Sequence, residues 1–361
     1  MDRYGELPPA SRLVRDGLRR EVSPSWPQPL LLAHDGVAPS FEPVGTFHGA
    51  LIVFSRATVL DDKGFIELTD GSLFVEPVWH PDNVFPSAAY RRRRLVPPRR
   101  QQGPWFSCLL FFAHGYFHWL CDVLPRFHRV LELLPAGTRF LVPWAMEPWQ
   151  WDALAAVGVD RARCVQFSPG RGWVFDELYY APPAAMTGDH DPEAIAWVRQ
   201  AVLAAVGVDP APTAGEKLYV TRRLAGRRRI TNEAELWGGL EAAGFRMVEA
   251  ERLSFADQVR LFARARVVVG PHGGGLTNIA WCRPGTRVAE IFSPASAGSR
   301  CFWTLSAALG HDYAALIGQD AKGLLSRSDI DCPPYFADRI LRWAFRDEST
   351  TARPLPAAAL S

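Results

Sequence analysis

The sequence predicts an α/β protein of two domains, each built on a mostly parallel sheet. Three observations carry that prediction. The chain has 361 residues, enough for two domains at about 100–200 residues each. Short apolar runs alternate with helical stretches, the order in which parallel sheets are wound. One apolar run, "RVVVG" (266–270), leads directly into "PHGGGLTN" (271–278), a glycine-rich turn at which a helix can start.

Residues 1–40 are rich in proline and polar groups and read as an irregular arm. The first domain, 41–190, opens with strand-like runs "GALIVFS" (49–55) and "SLFVEPVW" (72–79). A basic loop "RRRRLVPPRR" (91–100) follows. "CLLFF" (108–112) reads as a strand, "GYFHWLCDVL" (115–124) as a helix, "TRFLVP" (138–143) as a strand and "EPWQWDALAAVG" (147–158) as a helix. Pro182, Pro183, Gly188 and Pro192 mark the passage to the second domain, 191–328.

The second domain begins with the helix "PEAIAWVRQAVLAAVG" (192–207). Strand "KLYVTR" (217–222), helix "NEAELWGGLEAAG" (232–244), strand "FRMVEA" (245–250) and helix "SFADQVRLFARA" (254–265) precede the strand and glycine turn. Strand "TRVAEIF" (286–292), helix "SRCFWTLSAALG" (299–310) and strand "YAALIG" (313–318) complete a Rossmann-like series. Asn232 with Glu235, and Ser254 with Asp257, have the spacing of capping boxes. Gly244 and Gly310 stand where helices end in a left-handed residue. A helix in "YFADRILRWAF" (335–345) and a tail fill 329–361.

Composition is that of a soluble globular chain, 48% hydrophobic and 22% charged, with a net charge of +2. No global field points to nucleic acid. The basic residues are almost all arginine, the group suited to bidentate recognition of phosphate and carboxylate. Six scattered cysteines without a CxxC pair read as reduced thiols. The N-terminus lacks a signal-peptide core, and no window approaches the roughly 20 apolar residues of a membrane span. The expected location is the cytoplasm, with arginine clusters that allow contact with anionic lipid at the inner face of a membrane.

A strand, a glycine turn and a helix N-terminus make an anion site, because helix amides point outward and glycines admit close approach. The alternative is a turn that only lets strand and helix pack closely. The motif is neither GxGxxG nor a P-loop. The dipole alone gives about 0.3–1 kcal/mol, so holding a diphosphate needs charge-assisted bonds of about 1.5–3 kcal/mol each. The loop "YVTRRLAGRRRITNE" (219–233) offers Arg222, Arg223, Arg227, Arg228 and Arg229. It leaves a parallel strand at its carboxyl end, the side on which ligands bind. Arg228 and Arg229 beside Asn232 and Glu233 also fit a helix-start salt-bridge cluster.

His114, His118, Asp122 and Arg126 recur at steps of four in "HGYFHWLCDVLPRF" (114–127) and would share a helix face. Pro125 should kink or end that helix. Three readings compete: a metal site on the paired histidines, a satisfied core network, or a general base with its orienting partner. A metal-dependent hydrolase on His114, His118 and Asp122 and an arginine-rich nucleic-acid-binding protein using 91–94 and 226–229 are the alternatives at the level of function.

Taken together, "GYFHWLCDVLPRF", "YVTRRLAGRRRITNEAEL" and "VVVGPHGGGLTNIAWCRPGTRVAEIF" resemble glycosyltransferase family 61, which includes bacterial capsular-polysaccharide biosynthesis proteins. The resemblance runs from about Cys108 to Tyr313. It implies a GT-B fold, two Rossmann-like domains with parallel sheets facing across a cleft. It implies an inverting hexosyl- or pentosyltransferase that requires no metal or other cofactor and takes a nucleotide-sugar donor, a UDP-sugar foremost. The acceptor would be a carbohydrate or a lipid-linked glycan. Asp122 is then the expected base with His118 as partner or rival, and His114 and Arg126 lie on the acceptor side. Arg222, Arg228, His272, Gly273, Gly274 and Gly275 would hold the diphosphate, and Glu290 and Asn278 the ribose or base. The third glycine departs from the family pattern, where alanine is frequent at Gly274 or Gly275.

Overall fold

The computed structural model describes residues 11–15, 30–33, 50–74, 77, 91, 95–183, 187–208, 215–321 and 329–347. The chain forms two compact units. One comprises Met1–Trp26, Glu42–Pro210 and Ser254–Arg260; the other comprises Pro27–Phe41, Ala211–Leu253 and Leu261–Ser361. The division near residue 210, where 190 was expected, leaves the long helix of 192–206 with the first unit. That helix packs on the helical turn of Leu124–Phe127 and on the helix of Pro148–Ala156.

The first unit holds β1 (Ser11–Arg15), while β2 (Leu30–Ala33) joins the other unit's sheet. Both lie in the arm expected to be irregular. Each covers an otherwise open sheet edge, β1 antiparallel on β3 and β2 parallel on β14. The sheet continues through β3 (Leu51–Val59), β4 (Ile66–Glu67), β5 (Leu73–Phe74), β6 (Arg99–Ser107), β7 (Arg139–Val142), β8 (Cys164–Gln166) and β9 (Trp173–Tyr180). Its order is β5-β4-β3-β9-β6-β7-β8, with β1 on β3. It is mixed rather than parallel: β3 runs antiparallel to β9, and only β9, β6, β7 and β8 run parallel. Ile52, Phe54, Trp105, Trp173 and Phe175 fill its core.

The strand expected at 108–112 is instead β6, just upstream. Residues 108–110 are irregular and buried, and 111–112 form a turn. Residues 92–94 of the basic tract and most of the run 75–79 lie outside the described residues.

The second unit matches the sequence pattern closely. Strands β10 (Glu216–Val220), β11 (Arg246–Val248), β12 (Ala265–Pro271), β13 (Arg287–Phe292) and β14 (Asp312–Ile317) form a sheet ordered β11-β10-β12-β13-β14-β2, parallel throughout. Three helices lie in the tract that builds it: Glu233–Ala242, Phe255–Ala263 and Cys301–Ala308. The helix Phe336–Ala344 belongs to the same core, burying Phe336, Ile340, Trp343 and Ala344 at helical spacing against Tyr219, Leu236 and Val267. β10 is the first strand of the series and lies between the second and the third. The order reverses there, and ligands of doubly wound sheets bind at such a switch point, outside the carboxyl ends of the strands. Among the described residues no helix is long and apolar enough to cross a membrane.

Candidate active site

The loops leaving β10 and β12 at the switch point carry the arginines and the glycine turn. The turn runs into a 3-10 helix, Gly274–Trp281, where an α-helix was expected. The opening amides of such a helix have no intrahelical acceptor. The glycines serve different needs. A β-carbon built on Gly273 would stand 1.9 Å from Arg222 Nη1 and 2.5 Å from its Cζ, and one on Gly275 2.8 Å from Val220 Cγ1. One on Gly274 meets nothing within 4 Å. The guanidinium of Arg222 therefore lies directly over the bare backbone of the turn.

The five arginines of the loop divide by partner. Arg223 is paired with Glu249 at 2.6 Å. Arg229 is paired with the fully buried Asp329, donating from Nη2 at 3.0 Å and from its backbone amide at 3.0 Å. Arg227 is exposed, and its carbonyl accepts Arg222 Nη2 at 3.2 Å. Arg222 and Arg228 are partly buried and form no salt bridge among the described residues. Burial and the charge of Arg228 push Arg222 down to about 10; Arg228 is lowered too, by burial and then by Arg227. Arg228 Nε is buried without a hydrogen-bond partner, and its backbone is left-handed at φ 58°. Two cations partly withdrawn from water with no salt-bridge partner among the described residues are costly unless an anion joins them.

His272 follows β12. Its Nδ1 lies 2.5 Å from Glu290 Oε1, and its ring stacks on Phe292 with centroids 5.4 Å apart. Glu290 has no exposed surface, and its second oxygen accepts the Tyr313 hydroxyl at 2.5 Å. Burial, then the Glu290 charge, raise the Tyr313 hydroxyl well above its ordinary range.

In the first unit, the stretch expected as one helix changes pitch twice. Residues Tyr116–His118 are α-helical, Trp119–Val123 make a π turn, and Leu124–Phe127 a 3-10 turn that contains Pro125. The four-residue stripe splits as a result. His118 Nδ1 lies 2.7 Å from Asp122 Oδ2, which also accepts Thr187 Oγ1 at 2.9 Å. His114 precedes the helix and sits 3.6 Å from Asp62. Arg126 turns inward, donating to the carbonyls of Ala181 and Ser107 and lying over the rings of Tyr180 and Phe106. Among the described residues no group of three His, Cys, Asp or Glu side chains converges on a point that could hold a metal ion.

Comparison with known proteins bears on the family. Residues 116–289 match the family model Glycosyltransferase 61. The match supports assignment to glycosyltransferase family 61. The chain is a glycosyltransferase, and its substrates are a sugar donor and an acceptor. A search of the curated proteins gave no match. Among solved structures the chain is similar to the bacterial iron-containing dodecameric glycosyltransferase TibC from enterotoxigenic E. coli H10407. Identity is 13%, the match covers 72% of this chain and 81% of that one, and the TM-score is 0.26. A likeness so slight transfers nothing to this chain.

The matched region contains most of the family-61 residues anticipated from the motifs, and the geometry revises several roles. Asp122 is 3% exposed beneath the imidazole, whereas the His118 side chain is 27% exposed. Of the pair expected to supply the base, His118 is therefore the one more open to solvent. Glu290, expected at the ribose, has both oxygens engaged inside the fold. Asn278, expected beside it, is buried, donating to Gly275 O and accepting Trp281 Nε1. Arg126 is a core residue bound to carbonyls, and His114 stands apart from His118. Asn232 does not cap its helix; it holds Cys332 through both its amide atoms. Sequence reasoning missed Tyr313 and Thr187. Tyr313 lies beside Glu290 on adjacent parallel strands, a pairing visible only once β13 and β14 are in register.

Proposed function

We propose that this family-61 enzyme is an inverting transferase that uses a nucleotide-sugar donor, a UDP-sugar foremost, and needs no metal ion or other cofactor. Its acceptor is a hydroxyl of a carbohydrate or lipid-linked glycan, and its product is capsule or another bacterial surface polysaccharide. The GT-B arrangement implied by the resemblance is part of the proposal. So is a cytoplasmic location, at the inner face of the membrane when the acceptor is lipid-linked; the free thiols of all six cysteines fit a reducing compartment.

One observation supports the reading: Arg222 and Arg228, partly buried and without a salt bridge among the described residues, stand at the switch point beside the glycine turn. A diphosphate completes that charge balance. In the reaction the acceptor oxygen forms a bond to the anomeric carbon as its proton passes to His118. With Nδ1–H directed at Asp122, the neutral ring carries its lone pair on Nε2. The bond from the anomeric carbon to the β-phosphate oxygen breaks, and its electron pair leaves on the nucleoside diphosphate. Arg222, Arg228 and His272 stabilise that charge, the role of fixed donors aimed at developing charge. A single displacement inverts the anomeric centre.

A thermal-shift screen over nucleoside diphosphates and sugar nucleotides tests the proposal, because a ligand that binds only the folded state raises its stability. The nucleotide that stabilises the enzyme should bind Arg222→Ala at least about tenfold more weakly by calorimetry. A screen in which no nucleotide stabilises the protein defeats the proposal.

A further inference from the structure

We infer that Glu290 and Tyr313 are positioning residues for His272, and that the three form a relay that presents Nε2 of the imidazole to the leaving phosphate. The inference rests on the diphosphate site proposed above. Its ground is the wiring behind that site. Glu290 is a carboxylate with no exposed surface, on a strand buried on both faces. A charge in that position is costly unless hydrogen-bonded on each oxygen. Here Oε1 faces His272 Nδ1 and Oε2 accepts the Tyr313 hydroxyl, both at 2.5 Å.

The wiring has one chemical consequence. A carboxylate can only accept, so the ring keeps a proton on Nδ1; a phosphate oxygen also only accepts, so Nε2 meets it as a second N–H, on an imidazolium whose charge Glu290 balances. The Nδ1 proton and the ring plane are both set from behind, and the stack on Phe292 and the tilted contact with Phe302 hold the ring in that plane. The Tyr313 hydroxyl has a separate task. It keeps the Glu290 carboxylate from rotating, and its proton is not available to the solvent because the phenol is buried. Two further titratable groups act on this relay: Arg228, which feels Glu290, and the Cys301 thiol, which Tyr313 feels. The relay ties the end of β12 to β13 and β14, so three adjacent strands fix one ring.

The test uses the full chain, with Tyr313→Phe, Glu290→Gln and inorganic pyrophosphate as probe. The imidazole nitrogens are read by NMR after selective ¹⁵N-histidine labelling, with His272→Gln assigning the signals. The wild type should show His272 protonated on Nδ1 without any ligand. Tyr313→Phe should shift that signal, and Glu290→Gln should shift it further. Pyrophosphate should bind Tyr313→Phe about threefold to tenfold more weakly, the loss expected for one hydrogen bond, and Glu290→Gln at least as weakly. Thermal midpoints measured alongside separate a loss of fold from a loss of orientation. Unchanged ring signals together with unchanged pyrophosphate affinity in both variants overturn the inference alone. A wild type that binds neither pyrophosphate nor any nucleoside diphosphate overturns the site itself, and the inference with it. A Tyr313→Phe protein that loses affinity while its ring signals stay in place overturns the relay but leaves the site standing.

Discussion

Gly273→Ala separates a steric role of the glycine turn from an electrostatic one. The new methyl would stand 1.9 Å from Arg222 Nη1 and 2.5 Å from Cζ. Both atoms are at the far end of a flexible side chain, so the guanidinium moves and the backbone need not. The fold should survive: the thermal midpoint should stay close to that of the wild type. Binding should not survive, because the displaced cation no longer reaches the diphosphate. One charge-assisted hydrogen bond is worth about 1.5–3 kcal/mol, which corresponds to roughly a tenfold to 150-fold rise in Kd. Calorimetry with the nucleoside diphosphate selected by thermal shift measures it. A double-mutant cycle identifies the cause. If the methyl acts by pushing Arg222 aside, Gly273→Ala should cost little more once Arg222→Ala has removed the side chain. Full additivity would mean that the methyl blocks the ligand itself, and the argument from Arg222 would be refuted.

Other substitutions probe the remaining assignments. His118→Asn should slow transfer at least about a hundredfold, the usual contribution of a general base, with nucleotide affinity within twofold; a variant that keeps most of its rate while Asp122→Asn loses it returns the base to Asp122. Asp329→Asn should lower stability by about 2–3 kcal/mol, less than a fully buried pair because Arg229 remains partly exposed, and should leave nucleotide affinity unchanged in calorimetry. Asp61 is raised from 3.8 to about 6, chiefly by burial. The fold therefore binds a proton that the unfolded chain has already lost, and stability falls as pH rises from about 4 to about 6. Asp61→Asn should remove that fall, of which about 1.4 kcal/mol lies between pH 5 and pH 8, as urea melts at those two pH values measure. Parallel pH profiles for the two proteins would show that Asp61 is not the titrating group.

The second unit was legible for a physical reason. Strands of a parallel sheet covered on both faces are nearly continuous apolar runs, and "KLYV", "RVVV" and "YAALI" read as such. The first unit hides its central strand. β6 reads "RRQQGPWFS", with polar residues at its exposed end and Gly103 and Pro104 at a shift of register. Gly103 is left-handed at φ 76°, and a bulge of that kind breaks the period of two on which strand recognition depends. "CLLFF" then competes for the assignment, because burial alone leaves the same apolar signature whether or not the backbone is paired. Helix periodicity failed in 114–127 for a related cause. The π turn and Pro125 change the angle per residue, so a stripe at steps of four no longer marks one face. His118 and Asp122 stay together, and Arg126 rotates into the core.

The site shows where local sequence stops being informative. Arg222, Arg223, Arg227, Arg228 and Arg229 share one short loop and one composition, yet they have different fates. Arg229 finds Asp329 a hundred residues away, and Arg223 finds Glu249. No reading of the loop itself could sort them, because the sorting is done by carboxylates brought in by other elements. Arg126 shows that a buried guanidinium can be stabilised without a carboxylate, by carbonyls and aromatic faces. Arg222 and Arg228 have little of that compensation: Arg222 has a single carbonyl, that of Arg227, and Arg228 Nε has no partner. The two partly buried cations of this loop that form no salt bridge among the described residues are those beside the glycine turn. A doubly charged diphosphate at the switch point, as proposed above, would join both of them, which is why Arg222→Ala and Gly273→Ala are the substitutions that test the site.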